Sequence, residues 1–568
     1  MINLNIKAMA ENTYDAIVVG SGISGGFAAK ELCEKGFKTL VLERGRLVTH
    51  LQDYPTMQKD PWDFDNHGRL THQEREDYYV QIRSGFINED NKHFYHNDKA
   101  DPYIEKQQFD WIRADNTGGR SLIWGRQCYR WSDLDFEANA KEGIAIDWPI
   151  RYKDLAPWYD YVEKYVGVSG QAMGLDHVPD GQFLPPMELN CLEKHIKKEI
   201  EAKFPFRYMT IGRVANLTRE HNGRGACQSR NRCHRGCPYG AYYSSVSVSL
   251  PDAAKTGNMT LRPNSVVHSV IYDDASGKAK GVRVVDRESK EMIEYYARII
   301  FLNASAPATA QIMLNSTSSR FPNGLGNDSG ELGHNIMDHH YRLGASGTFD
   351  GFEDQYYKGR RPNGIYIPRF RNINEQTKMK EFLRGYGYQG SASRANFGRG
   401  ANSKEFGADF KDNMMQAGPW TFGITGFGEI LPYHENQMYL SKDETDEFGI
   451  PKMVFDASYK ENEMVMREFI KSDAAEMLEA AGLKNVHTYD NSGAIGIGVH
   501  EMGTARMGRD PKTSVLNGNN QLHAVPNVFV TDGACMTSSG TQNPSITYMA
   551  MTARAVDFVM KEMNRNNL

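Results

Sequence analysis

Short apolar runs, each followed by a turn, mark the beginning of the chain. Residues 15–19 (Asp-Ala-Ile-Val-Val) predict a buried strand, and a glycine-rich turn follows at once. Residues 26–35 carry an apolar stripe at helical spacing and stop at a glycine, which predicts a helix. Residues 38–42 predict a second buried strand. This order predicts a strand–helix–strand unit, the start of a parallel sheet.

Similar apolar runs recur much later in the chain. Residues 260–270, 299–305 and 527–531 predict three further strands of the same sheet, and residues 547–564 predict an amphipathic closing helix. Residues 385–396 and 421–431 alternate apolar and polar positions, which is typical of strands in a half-buried antiparallel sheet. We therefore predict an α/β fold with a second, antiparallel-sheet domain, in which both domains are discontinuous in sequence.

These runs also divide the chain into candidate domains. A cofactor-binding domain is expected from residues 10–50, 110–140, 225–340 and 492–568, and a substrate-binding domain from residues 141–224 and 341–491. Residues 51–109 are charged and aromatic with few helix or strand signals, so we interpret them as a lid or an interaction arm.

The turn after the first strand has the spacing of a dinucleotide-binding fingerprint. Gly20 permits the tight turn, Gly22 lets the backbone approach a pyrophosphate, and Gly25 lets the helix pack closely on the strand. The helix that follows supplies free N–H groups for phosphates. Glu43, at the end of the second strand, is predicted to hydrogen-bond a ribose hydroxyl.

Charge and composition limit the kinds of molecule that the protein is expected to bind and the compartment in which it is expected to act. The formal net charge of −5 over 568 residues gives no broad basic face for nucleic acid. No apolar run approaches the roughly 20 residues of a membrane helix, so no membrane span is expected. Met1 to Asn12 lacks the apolar core of a secretory leader. We expect a cytoplasmic protein, or a periplasmic one if a partner subunit exports it.

Three of the seven cysteines are clustered. Cys227, Cys233 and Cys237 have the spacing C-x5-C-x3-C, and a proline follows the last one. Three thiolates in a turn-rich loop favour a [3Fe-4S] cluster, whose negative charge Arg230, Arg232 and Arg235 would offset. Two alternatives remain: a zinc ion held with His234, or free thiols in a reducing compartment.

Four motifs together resemble those of the glucose–methanol–choline (GMC) oxidoreductases. They are the unit from Gly20 to Glu43, Thr117-Gly118-Gly119-Arg120-Ser121 with Trp124-Gly125, the stretch from His500 to Gly508, and Asn543-Pro544. Within that family the chain looks most similar to pyranose oxidases and to the catalytic subunits of bacterial FAD-dependent sugar and glycoside 3-dehydrogenases.

The resemblance implies FAD as the cofactor and names the residues that hold it. In addition to the glycine turn and Glu43, these are Gly118, Gly119, Ser121, Val267, Asp532, Gly533 and Asn543. Some pyranose oxidases attach FAD through a histidine just before the tryptophan of the second motif. Ile123 occupies that position here and cannot form such a bond, so noncovalent FAD is expected.

The resemblance also implies a catalytic pair. His500 matches the family base that takes the substrate hydroxyl proton, and Asn543 matches its partner on the same oxygen. The alternatives are a structural histidine and a helix N-cap asparagine. Arg506 is interpreted as an ion-pair partner. His339 and His340 are interpreted as packing residues, because nothing in the sequence pairs them with a flavin motif.

The resemblance implies a dehydrogenase that oxidises a secondary hydroxyl of a pyranose or glycoside to a ketone, preferably at C3, as in bacterial glycoside 3-dehydrogenases. Gln389, Arg394 and Glu429 are candidate contacts for sugar hydroxyls. The electrons are expected to leave through the cysteine loop to a small accessory subunit and a cytochrome. The alternatives are an oxidase that makes H2O2 without a cluster, and an electron-transfer flavoprotein subunit without its own substrate.

Overall fold

A computed structural model describes residues 12–355 and 361–568. Most of the N-terminal segment on which the absence of a leader was argued, up to Glu11, lies outside these residues. Within the described part of the chain, no helix combines the length and apolar character needed to cross a bilayer.

The strands, in chain order, are β1 Thr13–Val19, β2 Thr39–Leu42, β3 Ile104–Glu105, β4 Thr210–Ile211, β5 Met259–Arg262, β6 Ser265–Asp273, β7 Lys278–Asp286, β8 Met292–Leu302, β9 His339–His340, β10 Leu343–Phe349, β11 Ile365–Ile367, β12 Tyr386–Arg394, β13 Trp420–Glu429, β14 Gln437–Thr445, β15 Pro451–Asp456, β16 Lys484–Asp490 and β17 Val528–Val530. The α-helices are α1 Ile23–Glu34, α2 His72–Asp77, α3 Asp133–Phe136, α4 Ala138–Glu142, α5 Tyr152–Val166, α6 Cys191–Lys203, α7 Ser249–Lys255, α8 Ala306–Asn315, α9 Gly407–Met415, α10 Glu461–Ala480 and α11 Ser545–Asn564.

The first sheet has the order β5-β2-β1-β8-β7-β6, and β17 also pairs with β8. Strands β5, β2, β1, β8 and β17 run parallel, whereas β6 and β7 form an antiparallel extension. Helices α1 and α11 pack against each other beside this sheet. Residues 16–18 of β1 and Phe27, Ala28, Ala29 and Leu32 of α1 are fully buried, as the sequence pattern predicts.

One detail of the predicted strands is corrected. Residues 260–270 form two strands rather than one, because Pro263 lacks an N–H group and Asn264 adopts a left-handed φ of 52°. The late strand β17 belongs to the same sheet as β1, as predicted, and the long strand β8 lies between the two.

The second sheet has the order β16-β10-β13-β12-β11-β4, and β9 pairs with β13. All its recorded pairings are antiparallel. Helix α10 packs on β10, β13 and β16 through a separate apolar core that includes Met466 and Ile470. The predicted strands at 385–396 and 421–431 are therefore confirmed as β12 and β13, which are neighbours in this sheet. A third, small sheet has the order β14-β15-β3.

Candidate active site

A cavity of about 750 Å³ lies between the two large sheets. The carboxyl ends of β1, β2, β8 and β17 reach it through Gly20, Glu43, Asn303 and Asp532. Ligands of open α/β folds bind at this edge of a parallel sheet. Gln389 and Phe427 of the second sheet line the opposite side. One cavity thus joins the predicted cofactor turn to the second sheet.

The glycine turn is shaped for a close approach at its centre. A Cβ on Gly20 would lie 2.3 Å from the Asn303 carbonyl oxygen, and one on Gly25 would lie 2.0 Å from the Gly20 oxygen. Within the described residues, a Cβ on Gly22 would meet no heavy atom within 4 Å. No side chain caps the N-terminus of α1. The open space and the free N–H groups fit the pyrophosphate of a dinucleotide.

Glu43 and Ser21 connect the glycine turn to the second motif. Glu43 accepts hydrogen bonds from Ser21 Oγ at 2.5 Å and from the Gly45 N–H at 2.9 Å. The Gly118 N–H in turn donates to Ser21 Oγ at 2.9 Å. Burial raises the pKa of Glu43. Glu43 lines the cavity, and its predicted hydrogen bond to a ribose hydroxyl stays a prediction; its carboxylate also hydrogen-bonds the turn.

The second motif forms a tight turn over the cavity. Gly118 has a φ of 85°, and its Cα faces Val246 rather than the cavity. Ser121 Oγ donates to the Gly118 carbonyl at 2.6 Å. Gly119, Ser121 and Ile123 line the cavity. Of the two predicted glycines, Gly119 therefore reaches the cavity and Gly118 holds the turn.

The predicted acid–glycine pair lies at the end of β17. Asp532 and Gly533 line the cavity, as does Val267 at the start of β6. Asp532 accepts hydrogen bonds from Thr309 Oγ1 at 2.6 Å and from the Ser305 N–H at 2.9 Å. Burial raises the pKa of Asp532 to about 6. The pair thus ties β17 to the start of α8 at the cavity wall.

Sequence reasoning missed an ion pair under the cavity. Arg120 of the second motif pairs with Glu501 of the third through two contacts of 3.0 and 2.6 Å. Glu501 is buried, whereas the Arg120 side chain is 28% exposed where it lines the cavity. The ion pair thereby holds Glu501, the residue that directly follows His500, in place. Arg506 pairs with Glu331 at 3.0 Å, which agrees with the interpretation as an ion-pair partner.

His500 and Asn543 meet in the cavity. Asn543 Nδ2 lies 3.3 Å from His500 Nε2, and both residues line the cavity. Gln389 Nε2 donates to Asn543 Oδ1 at 2.6 Å. Burial lowers the pKa of His500 well below its usual value, and His339 and Arg120 lower it further. A neutral imidazole beside an amide can accept a hydroxyl proton.

The interpretation of His339 as a residue without a partner in a flavin motif was wrong. His339 Nδ1 lies 2.8 Å from His500 Nδ1, and His339 Nε2 contacts the Gly540 carbonyl. The pairing of β9 with β13 brings His339 there, which sequence spacing does not reveal. His340 contacts the Glu429 carbonyl at 2.9 Å and is fully buried, consistent with packing.

The structure brings one of the three predicted sugar contacts to the cavity, Gln389. Arg394 lies on the other face of β12, because the five-residue separation reverses the side of the strand, and its guanidinium binds the Gly418 carbonyl at 2.6 Å. Glu429 is fully buried in an ion pair with Arg369 at 2.8 Å. Neither Arg394 nor Glu429 belongs to the cavity lining.

Other side chains line the substrate side of the cavity and were not singled out from the sequence as contacts. They are Phe86, Trp124, Arg126, Gln127, Tyr341, Asn363 and Phe427. The rings of Tyr341 and Phe427 lie 4.7 Å apart. Long-range pairing of the strands and loops places these residues together, and of the seven only Trp124 belongs to a motif identified in the sequence.

The cysteine loop adjoins the same cavity through His234, which lines it. His234 contacts Asp90 at 3.1 Å, and Arg235 pairs with the same carboxylate at 2.8 Å. Arg232 pairs with Asp60 at 2.5 Å. Two of the three arginines expected to offset a cluster are therefore paired with carboxylates of residues 51–109.

Within the described residues, the three cysteines do not form a preassembled ligand group at the spacing of a single ion. Within residues 12–355 and 361–568, the group whose metal-ligating atoms lie within 4.8 Å of one another is Asp338, His339 and His500, and not the cysteines. Burial raises the pKa of the Cys227 thiol, and the nearby Cys233 and Cys237 thiols raise it further. A [3Fe-4S] cluster holds its thiolates farther apart than one ion does, so it stays a prediction.

Two family models described as GMC oxidoreductase match the chain, over residues 14–341 and 432–552. The chain is 27% identical to 2-methyl-1,2-propanediol dehydrogenase from Mycolicibacterium austroafricanum, over 97% of the chain and 96% of that protein. It is 24% identical to the fructose dehydrogenase large subunit from Gluconobacter japonicus, over 97% and 98%. The fold matches a formate oxidase structure from Aspergillus oryzae with a TM-score of 0.60 at 14% identity, over 98% of the chain and 99% of that structure.

Proposed function

The chain belongs to the GMC oxidoreductase family of FAD-dependent enzymes that act on alcohols and sugars, and from this premise we propose a specific reaction. In this reaction the protein, with noncovalently held FAD, oxidises a secondary hydroxyl of a pyranose or glycoside, preferably at C3, to a ketone. The single observation that carries the proposal is the His500–Asn543 pair, which shares one cavity with the glycine turn.

The chain's own residues divide the work of alcohol oxidation. Bound FAD would supply the acceptor for the hydride of the carbinol carbon. His500 Nε2 takes the hydroxyl proton, and the Asn543 amide donates to the same oxygen as negative charge develops on it. Gly22, Gly119 and Ser121 line the end of the cavity that would hold the cofactor. Ile123 offers no nucleophile for a covalent bond.

The lining of the cavity supports a sugar substrate. Phe86, Tyr341 and Phe427 form an aromatic wall, with Phe86 and Tyr341 stacked at 6.2 Å. Gln127 and Asn363 add amide groups that can hydrogen-bond hydroxyls, and they bind each other at 3.1 Å. Stacking on rings combined with amide contacts is suited to a pyranose. The fructose dehydrogenase relative agrees with a sugar, and the choice of C3 rests on the sequence resemblance.

The electron acceptor is proposed to be a protein rather than oxygen. A [3Fe-4S] cluster on Cys227, Cys233 and Cys237 would carry electrons outward, since the loop adjoins the cavity through His234. The relative named as a large subunit supports a small accessory subunit, with a cytochrome as the final carrier. The protein would act in the cytoplasm, or in the periplasm after export with that subunit.

The test is turnover of purified holoenzyme with a panel of pyranosides and their 3-deoxy analogues. We expect a dye-linked activity with a keto product whose carbonyl NMR assigns to C3, and no activity with the 3-deoxy compounds. H2O2 formed at the rate of product under air, without iron, would establish the oxidase instead. No reaction with any sugar or alcohol would favour the electron-transfer subunit and overturn the proposal.

Iron analysis and EPR of the same preparation test the cluster separately. We expect about three irons per chain and an EPR signal of an oxidised cluster, both lost in Cys233→Ser. Cys191→Ser is the matched control, because Cys191 lies on helix α6 away from the loop. A flavin spectrum without iron, with the same sugar activity, would refute the cluster and leave the sugar oxidation standing.

A further inference from the structure

A continuous chain of hydrogen bonds crosses the catalytic end of the cavity. It runs from the Gly540 carbonyl through His339 and His500 to Asn543 and Gln389. The ring–ring contact measures 2.8 Å, and the two amide contacts measure 3.3 and 2.6 Å. Since each link needs one donor and one acceptor, the chemistry of one end constrains the proton positions along the whole chain.

The carbonyl of Gly540 can only accept, so His339 Nε2 must carry a proton and donate it. A neutral His339 then has a lone pair on Nδ1, which must accept the proton on His500 Nδ1. This leaves His500 Nε2 without a proton. The Asn543 end agrees independently: its Oδ1 accepts from Gln389, so its Nδ2 faces His500 Nε2 as a donor. Both ends of the chain demand the same tautomer.

We propose that His339 is a positioning residue that holds His500 in the Nδ1–H tautomer, with the Nε2 lone pair directed at Asn543 and the substrate hydroxyl. The effect of His339 on catalysis rests on the proposed function, whereas the tautomer of His500 does not. The substrate O–H bond breaks as the Nε2–H bond forms, and the imidazolium so produced keeps its Nδ1–H bond to His339. This role differs from the base and from its amide partner.

Burial and backbone contacts support the neutral state and fixed position of His339. The ring is fully buried, and burial lowers the pKa of His339 to about 4. His339 therefore stays uncharged when His500 takes a proton beside it. The preceding residue, Asp338, accepts the N–H groups of Gly498 at 2.8 Å and His500 at 2.9 Å. The two imidazoles are thus anchored by the same short segment.

Two substitutions separate the proposed role from simple packing. The amide of His339→Asn lies near the position of Nδ1, so its oxygen can still accept from His500 but the link to Gly540 is lost. The amide of His339→Gln lies near Nε2, so it keeps the link to Gly540 but offers His500 no acceptor. We expect anaerobic flavin reduction by substrate to fall less than about 10-fold in His339→Asn and about 100-fold or more in His339→Gln.

KM is expected to change less than the reduction rate in both variants, because the lost contact orients the base. Equal losses in the two variants, or a larger loss in His339→Asn, would overturn the proposal. A wild-type protein that no substrate reduces would instead refute the proposed function. The tautomer is read directly from ring ¹⁵N shifts of histidine-labelled holoenzyme, with the His500 signals assigned by their loss in His500→Gln.

In that spectrum we expect a protonated Nδ1 and an unprotonated Nε2 for wild-type His500. The same pattern should persist in His339→Asn and change in His339→Gln toward the Nε2–H tautomer or a mixture. An Nε2–H tautomer in the wild type would overturn the inference regardless of any activity. This readout needs no turnover, so it holds even if the substrate differs from a sugar.

Discussion

The two ends of the cavity are built in different ways. The cofactor end consists largely of backbone: the Gly20–Gly25 turn, the N-terminus of α1 and the ends of parallel strands. The catalytic end consists of side chains from separate segments, with His339, Gln389, His500 and Asn543 joined by hydrogen bonds.

This difference determines how each end tolerates change. A backbone site is held by close packing, so one added methyl group acts through the fold. A side-chain network keeps its packing when one group is exchanged for another of similar size, so the loss falls on chemistry. Substitutions at the cofactor end should therefore affect stability and flavin content, whereas those at the catalytic end should affect rate.

The largest effect is expected from Gly25→Ala. Its Cβ would lie 2.0 Å from the Gly20 carbonyl oxygen, and neither backbone can move without opening the turn. Thermal unfolding should show that the free energy of unfolding falls by about 3 kcal/mol or more, the upper range for overpacking. Little flavin should be retained. Gly22→Ala is the matched control: the fold should persist while FAD dissociates more readily. Equal losses in the free energy of unfolding in the two variants would contradict a glycine turn that is open at Gly22 and closely packed at Gly25.

His500→Gln should preserve the fold and the flavin and slow the chemistry. Glutamine offers hydrogen bonds but no basic nitrogen, so anaerobic flavin reduction by substrate is expected to fall about 100-fold or more. Stopped-flow absorbance measures the rate, and the flavin-to-protein ratio checks the cofactor. A reduction rate within threefold of the wild type would remove His500 as the base.

Gln389→Glu tests the far end of the hydrogen-bond chain with a smaller effect. The carboxylate cannot donate to Asn543 Oδ1, so the amide loses its fixed orientation, and kcat/KM should fall about 10-fold, or about 1.4 kcal/mol. Arg394→Gln, on the same strand but outside the cavity, is the control and should change kcat/KM less than twofold. A comparable loss in both variants would indicate a general effect on strand β12.

The smallest effect is expected from pH. The pKa of His500 is lowered by burial, so His500 stays neutral and able to accept a proton as the pH falls through 6.5. Anaerobic reduction rates at pH 8 and pH 6 should differ less than about twofold. Burial raises the pKa of Asp338 to about 7, so any decline that Asp338→Asn abolishes belongs to that carboxyl. If the reduction rate falls tenfold per pH unit below pH 6.5, and still does so in Asp338→Asn, this would contradict a lowered pKa of His500.

The same contrast explains what the sequence could predict. The glycine turn and strands β1 and β2 were predictable because neighbours in sequence build them, whereas the acid–glycine pair was identified by the family resemblance. The contact between His339 and His500 was not predictable, since it depends on the pairing of β9 with β13 across the second sheet. Long-range packing also buries Glu429 against Arg369. Arg394 differs, because the two-residue period of β12 already places it on the face opposite Gln389.

Break points within a strand were also hard to predict. Residues 260–270 were predicted as one strand, although Pro263 and Asn264 separate Leu261 from Val266; the missing N–H group of Pro263 and the left-handed φ of Asn264 end the first strand there. Hydrophobic alternation reports which face is buried and does not report where the backbone turns. The family motifs identified His500 and Asn543 by resemblance, and the structure added the residues that contact them, His339 and Gln389.

The central claim is that a carbinol carbon loses its hydride in this cavity while His500 takes the proton. The most direct measurement is anaerobic stopped-flow reduction of the enzyme-bound flavin by a pyranoside and by the same sugar deuterated at C3. We predict bleaching of the flavin band, slowed severalfold by deuterium at C3 and unaffected by deuterium elsewhere on the ring. A flavin that stays oxidised with every pyranoside would contradict the account, as would bleaching with no isotope effect at any carbon.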